Sequence, residues 1–303
     1  MKRLSRLTFL VALAVLLIPA ATTPTIVSLV VDSFKTGGDA RALSLLASYR
    51  TANGVTPEYL EAFSWVARAH FSSHNYPTAG KFAQEVYAGA QELLKQRPLD
   101  REAHLPIALG AAIEVESGTL AFTGRRSEAV TYLAQQSKLY GATSIAARIQ
   151  KNLLLLTLEG KPAPAIEGAA LPKGKSLVLF FWAHWCPDCK AEASLLTKVL
   201  SEFAPKGLAM IAPTQHYGYV AGGEDAPPAV ETAYIEQIRA KYYAGLIEPA
   251  IAPVNERNFT RYGASTTPTL VFVDRAGVVR TYHPGAMTYE ELRAAAQKVT
   301  EAK

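Results

Sequence analysis

The chain has 303 residues, of which 49% are hydrophobic and 19% are charged, and its formal net charge is +5. This length predicts one or two domains with a sizeable core; the apolar content excludes a disordered chain, and a single long uncharged run excludes a multi-span membrane protein. Two cysteines are too few for a disulfide-dense scaffold, so their separation by three positions is the more informative feature.

The N-terminal segment has the pattern of an export signal. Three basic residues within the first six positions precede an apolar run over residues 7–18, and small residues follow it. We therefore predict a signal peptide over residues 1–21. An uncleaved N-terminal anchor is the alternative, because no charged side chain occurs between residues 7 and 31. Either form predicts a protein of the periplasm or cell envelope. Removing the three basic charges from +5 leaves +2, which gives no reason to expect a nucleic-acid partner.

The next region, residues 39–158, has helical periodicity throughout. Apolar residues such as Leu60, Phe63 and Val66 recur at steps of three and four positions. The marker positions of a 34-residue helical repeat do not align in any register that we tried. The pattern predicts an all-α domain, irregular or repeat-like. Because no cluster of catalytic residue types stands out, we interpret it as a packing or client-docking module.

A Pro- and Gly-rich stretch from Gly160 to Gly174 marks a domain junction. Beyond it, unbroken apolar runs predict buried strands, and a final pair of strands forms a hairpin around Gly277. The predicted strands are 177–182, 207–212, 270–274 and 278–282, and the predicted helices are 187–203, 229–243 and one beginning near Thr288. This order predicts a small mixed α/β domain over residues 160–303.

The segment Cys186-Pro187-Asp188-Cys189 lies where the first predicted strand gives way to a helix. Cys186 falls at the helix N-terminus, where free backbone N–H groups and the helix dipole favour a thiolate, and Pro187 suits the first helical position. Cys189 follows one turn later, close enough to form a disulfide with Cys186. We therefore predict that Cys186 is an exposed nucleophile that attacks a client disulfide, and that Cys189 resolves the mixed disulfide.

Two other interpretations of the cysteine pair remain open at this point. A zinc site would need further ligands, and only scattered histidines such as His184, His216 and His283 are available. An inert structural disulfide is the second alternative, although such a bridge is unusual where a strand passes into a helix behind a tryptophan.

Residues 181–192 (FWAHWCPDCKAE) resemble the active-site segment of thioredoxin-fold proteins, and more narrowly that of exported thiol–disulfide oxidoreductases of the TlpA/ResA/CcmG type. Residues 160–164 resemble the entry to that domain, residues 262–269 its cis-proline loop, and residues 274–277 its hairpin. The resemblance covers residues 160–303. It implies an α/β thioredoxin fold for this region. Together with the helical periodicity of residues 39–158, the sequence predicts two domains, an all-α helical domain followed by an α/β thioredoxin-fold domain.

The resemblance also implies roles for individual residues. Pro268 is expected to follow a cis peptide bond, with the Thr267 backbone free to pair with an extended client. Trp185 is assigned to client binding with them, and packing around the disulfide is its alternative. Glu192 matches the family's acidic residue and shares a helix face with Cys189, so it is expected to exchange a proton with that thiol or to raise its pKa; a solvated helix glutamate is the alternative.

One departure from thioredoxin itself concerns charge. Phe180 stands where thioredoxin has a buried aspartate, so an internal carboxylate that assists must be Glu192. Asp188 places a negative charge beside the thiols, which favours a reducing poise.

The sequence therefore predicts a reductase of protein disulfides, with no cofactor beyond its redox-active disulfide and no metal. The expected partners are disulfide-bonded client proteins, apo-cytochrome c among the candidates, and a membrane electron donor. A disulfide-introducing oxidase and a helical adaptor that uses its thioredoxin domain for docking are the alternatives.

Overall fold

The computed structural model describes residues 24–36, 38–170 and 172–302. The predicted signal peptide or anchor over residues 1–21 lies outside the described residues. Across the described part of the chain, an N-terminal helical domain is followed by an α/β domain, as the sequence predicts.

Seven helices build the N-terminal domain. They are α1 (Ile26–Thr36), α2 (Gly38–Asn53), α3 (Pro57–Ser72), α4 (Tyr76–Leu94), α5 (Leu105–Phe122), α6 (Arg126–Tyr140) and α7 (Ala146–Thr157). From α3 onward each helix packs on the next, and α5 also packs on α3 and α7. Each of these helices therefore buries a face against its neighbours, which accounts for the helical periodicity of the sequence.

The helical domain begins before residue 39, because α1 packs on α2 and α3. Ile26 and Val30 are buried in the same core as Leu60 and Leu109. The last residues of the long uncharged run thus form one apolar face of α1 and are covered by protein.

Helix α5 is the central helix of this domain. Among the described residues it is the one helix whose length and composition would allow it to cross a membrane. It packs on α3, α4, α6 and α7, which accounts for its apolar composition. It begins at Leu105, because a 3₁₀ turn (Leu99–Arg101) precedes it and Pro106 occupies its first turn.

The α/β domain contains one four-stranded sheet. Its strands are β1 (Ser176–Phe181), β2 (Leu208–Ile211), β3 (Thr269–Val273) and β4 (Val279–Pro284), in the order β2–β1–β3–β4. β1 is parallel to β2 and antiparallel to β3, and β3 is antiparallel to β4. Its helices are α8 (Pro187–Phe203), α9 (Pro228–Tyr242), α10 (Glu256–Tyr262) and α11 (Tyr289–Glu301). The sequence did not predict α10, which is only seven residues long.

Both faces of the sheet are covered, which explains the unbroken apolar run in β1. Val178 and Phe180 face a core shared with α8, α9 and α11. Leu177, Leu179 and Phe181 face a second core that includes residues of α10. β1 is therefore a buried central strand, and it delivers the residues that follow it to one edge of a rigid sheet.

The helical domain contributes to the second of these cores. Leu154 of α7 and Leu158 directly after it are buried against the α/β domain. Gly160 N donates to the Val279 carbonyl (2.8 Å), and Tyr282 N donates to Glu159 Oε1 (3.1 Å). The junction near Gly160 is thus bonded to β4, and the two domains share buried surface.

Candidate active site

The site is built where β1 passes into α8. Trp182, directly after β1, is fully buried, and its indole Nε1–H donates to the Ala212 carbonyl (3.0 Å). Cys186 N donates to the Ala183 carbonyl (3.1 Å), which turns the chain, and Cys186 then caps α8. The predicted helix beginning at Pro187 is confirmed. Sheet and helix together fix the position of Cys186.

Cys186 and Cys189 form a disulfide, with their Cα atoms 5.4 Å apart. Cys189 N donates to Cys186 Sγ (3.0 Å), so the sulfur occupies the position of a helix cap. The expected exposure of Cys186 is wrong for this oxidised state, because only 1% of the residue is accessible. The Thr267 carbonyl oxygen lies 3.5 Å from Cys186 Sγ and covers it.

The loop that covers the sulfur carries two of the three predicted client-binding residues. The Thr267–Pro268 peptide bond is cis. Pro268 is buried, whereas Thr267 is half-buried. Trp185, on the other side of Cys186, is 43% exposed, so packing is not its whole environment. The structure thus places the Thr267 carbonyl against the Cys186 sulfur, with Pro268 next to Thr267 in the chain and the exposed Trp185 next to Cys186.

Glu192 is buried on the same face of α8 as Cys189, with 2% of the residue exposed, so the alternative of a solvated helix glutamate is wrong. Oε1 accepts a hydrogen bond from Met287 N (2.8 Å), and Oε2 has no partner among the described residues. Burial raises the pKa of Glu192 to about 7; the charge of Asp188 adds to this rise, and the Met287 N–H opposes it. The carboxyl group of Glu192 can therefore both bind and release a proton near neutral pH.

This burial predicts a specific pH dependence of stability for the oxidised protein. In the unfolded chain Glu192 loses its proton near pH 4.5, whereas in the fold it keeps the proton up to about pH 7. Between these values the unfolded state binds fewer protons, so the free energy of unfolding falls as pH rises. Glu192→Gln imitates the neutral carboxyl. We expect its stability advantage over the wild type to grow by about 3 kcal/mol between pH 4 and pH 8.

Urea unfolding across that pH range measures the difference. Glu290→Gln, which changes an exposed carboxyl on α11, is the matched control and should keep the wild-type pH dependence. Parallel pH profiles for Glu192→Gln and the wild type would contradict this prediction, because they would show that folding does not raise the pKa of Glu192.

A second buried polar group was not predicted from the sequence. His184, two positions before Cys186, is 1% exposed, and its Nε2 lies 3.1 Å from Oε1 of the fully buried Glu231. The rings of Tyr217, Tyr219 and Tyr234 lie edge-on to the imidazole, with centroids at 5.3–5.6 Å. In the sequence, His184 stands out only as one of several scattered histidines. Tyr217 and Tyr219, close to His216 in the sequence, are the feature that could have indicated an aromatic cluster here.

The zinc alternative depends on convergent ligands. Within the described ranges no group of three His, Cys, Asp or Glu side chains is placed to hold a metal ion. The two cysteines are bonded to each other, and His184 is paired with Glu231. This arrangement offers the chemistry of a dithiol and its disulfide.

Comparisons with known proteins concern the C-terminal half. Residues 166–300 match a family model described as a thioredoxin-like domain. The thiol-disulfide oxidoreductase ResA of Bacillus thuringiensis (strain Al Hakam) is 27% identical over 149 residues, which are 49% of this chain and 75% of ResA. The thioredoxin-like protein YneN of Bacillus subtilis (strain 168) is 29% identical over 138 residues, 46% of this chain and 71% of YneN.

Among solved structures, a secreted Mycobacterium tuberculosis disulfide oxidoreductase homologous to Escherichia coli DsbE aligns with a TM-score of 0.33 and 23% identity. The alignment covers 42% of this chain and 83% of that protein.

Proposed function

We propose that this chain, whose residues 166–300 form a thioredoxin-like domain, is a thiol–disulfide oxidoreductase that reduces protein disulfides. The observation that carries the proposal is the Cys186–Cys189 disulfide at the N-terminus of α8, with the Thr267 carbonyl 3.5 Å from Cys186 Sγ. The similarity to the thiol-disulfide oxidoreductase ResA supports it.

The reaction begins from the reduced form. The Cys186 thiolate, stabilised by the N-terminus of α8 and the Cys189 N–H, attacks one sulfur of a client disulfide. A mixed disulfide forms, and the other client sulfur leaves as a thiolate. The Cys189 thiolate then attacks Cys186 Sγ, which releases the second client thiolate. Two electrons pass to the client, its thiolates take up two protons, and the Cys186–Cys189 disulfide results.

Glu192 serves the second step in this proposal. It lies one turn after Cys189, and its carboxyl binds or loses a proton near pH 7. It accepts the proton of Cys189 as that thiol becomes a nucleophile, and it returns a proton when the disulfide is reduced again. Thr267, Pro268 and Trp185 contact the client, with the Thr267 backbone pairing with an extended segment.

The proposal extends to location and partners. The chain is exported by residues 1–21, as a cleaved signal peptide or an anchor, into the periplasm or cell envelope. A membrane electron donor regenerates the dithiol, and disulfide-bonded proteins, apo-cytochrome c among them, are the clients. No further cofactor takes part. The helical domain over 39–158, extended by α1, presents clients to the α/β domain over 160–303.

The reduction potential tests the direction of transfer. Thioredoxin, a reductant, has a potential of about −270 mV, and the most oxidising exchange proteins reach about −120 mV. The negative charge of Asp188 and the buried Glu192 both disfavour thiolates, and therefore favour the disulfide state. We expect equilibration with a glutathione or dithiothreitol redox buffer to give a value nearer that of thioredoxin. A value near −120 mV would assign the protein to disulfide formation instead.

A further inference from the structure

We propose that Glu231 and His184 are positioning residues that hold Tyr217 and Gly218 against the active-site turn. On this proposal, which rests on the proposed function, the Trp185–Tyr217 pair held in this way contacts protein clients and selects them over small disulfides.

Glu231 joins three parts of the domain. It lies in the first turn of α9 and is fully buried. Its carboxylate accepts hydrogen bonds from Tyr217 N (2.6 Å) and Gly218 N (2.9 Å), and His184 Nε2 lies 3.1 Å away. A buried carboxylate is stable when it accepts several hydrogen bonds. If the carboxylate is removed, each buried donor that loses its acceptor destabilises the fold. Loss of this carboxylate would therefore release residues 217–218 from α9.

His184 connects that carboxylate to the active-site turn. Burial is the largest influence on its pKa and lowers it, so the ring is neutral at pH 7 and donates its Nε2–H to Glu231. The imidazole is enclosed by the edges of Tyr217, Tyr219 and Tyr234. A change at His184 is thus transmitted to Tyr217 by contact as well as through Glu231.

Tyr217, which is half-buried, packs against the exposed tryptophan of the site. Its ring is edge-on to Trp185, with centroids 5.4 Å apart, and Trp185 is the exposed neighbour of Cys186. The loop beyond it closes on itself, because Val220 N donates to the Glu224 carbonyl and Ala226 N to the Gly218 carbonyl. These bonds lie within the loop, whereas Glu231 bonds the backbone of Tyr217 itself and connects it to α9.

The two kinds of substrate differ in what they touch. A small disulfide such as oxidised glutathione needs little more than access to Cys186 Sγ. A protein client must lay several residues beside that sulfur, and the exposed face of Trp185 borders the approach. When the rings of Trp185 and Tyr217 have a fixed orientation, they contribute to binding of the larger client, because stacking and apolar contacts depend on ring position.

The test compares kcat/KM of the reduced full-length protein for oxidised insulin and for oxidised glutathione. For Glu231→Gln and His184→Leu we expect the insulin-to-glutathione ratio to fall about tenfold, chiefly through a higher KM for insulin. His184→Gln should have a ratio close to that of the wild type, because the glutamine Nε2 can occupy the place of the imidazole Nε2 and donate to Glu231. Thermal unfolding identifies any variant that does not fold, and the two His184 variants then carry the comparison.

Thr232→Val is the matched control. Thr232 Oγ1 forms a hydrogen bond with the exposed His216 ring (2.8 Å). It therefore links α9 to the residue before Tyr217, as Glu231 links α9 to Tyr217 itself. Its ratio should equal that of the wild type. An unchanged ratio in folded Glu231→Gln and His184→Leu, or a ratio that His184→Gln fails to restore, would overturn the inference. Failure of the wild type to reduce either substrate would instead count against the proposed function.

Discussion

Replacing Cys189 by serine is expected to turn the protein into a trap for its clients. Cys186 can still attack a client disulfide, but no second thiol is available to release the mixed disulfide, because the chain contains no third cysteine. Serine is nearly isosteric with cysteine, so the fold should persist. We expect turnover with protein disulfides to fall by a factor of at least about 10³ while DTT-sensitive adducts accumulate.

Non-reducing electrophoresis of acid-quenched envelope extracts, followed by mass spectrometry, identifies the adducts. The Cys186→Ser/Cys189→Ser double variant is the control and should form none. Apo-cytochrome c among the adducts would support a role in haem-protein maturation, and a mixture of exported proteins would support general reduction. Repeated absence of adducts with Cys189→Ser would contradict the assignment of Cys186 as nucleophile and favour the adaptor alternative.

Substituting Gly263 is expected to have the largest effect on stability. Gly263 ends α10 with φ +58°, and a Cβ atom there would lie within 2.6 Å of the Lys151 Cα atom in α7. Backbone cannot move aside as a flexible side chain can, so Gly263→Ala must separate α7 from α10 or distort both. We expect a loss of about 3 kcal/mol or more in the free energy of unfolding.

Gly245→Ala provides the control for this prediction. Gly245 also has a positive φ, +74°, but an added Cβ would meet nothing within 4 Å. Its cost should be the backbone term alone, about 1 kcal/mol. Urea unfolding of the full chain measures both variants. Equal losses for Gly263→Ala and Gly245→Ala would contradict the close approach of α7 to Gly263.

The elements that form the site were predictable because their signals are local. The unbroken apolar run of β1 and Pro187 at the start of α8 define the turn that carries Cys186. Helix α10 was missed because seven residues offer too little periodicity. α1 was hidden because its apolar residues continue the uncharged run of the export segment.

Features that depend on distant residues could not be predicted. Whether Glu192 faces solvent or core depends on Met287, which is 95 positions away. The His184–Glu231 pair joins residues 47 positions apart, and neither periodicity nor motif spacing connects two positions that far apart in the chain. Leu154 and Leu158 appear in the sequence as part of a helical face, and only the fold shows that they pack against the sheet.

The central claim is that the Cys186–Cys189 dithiol transfers two electrons to a client disulfide. The most direct measurement mixes the reduced protein with a stoichiometric amount of a disulfide-bonded protein and follows both by mass spectrometry and peptide mapping. We predict that this protein loses two hydrogens with formation of the Cys186–Cys189 disulfide, while the client gains two thiols in equal amount. Client reduction without that disulfide, or an unchanged client in the presence of the fully reduced protein, would contradict the account.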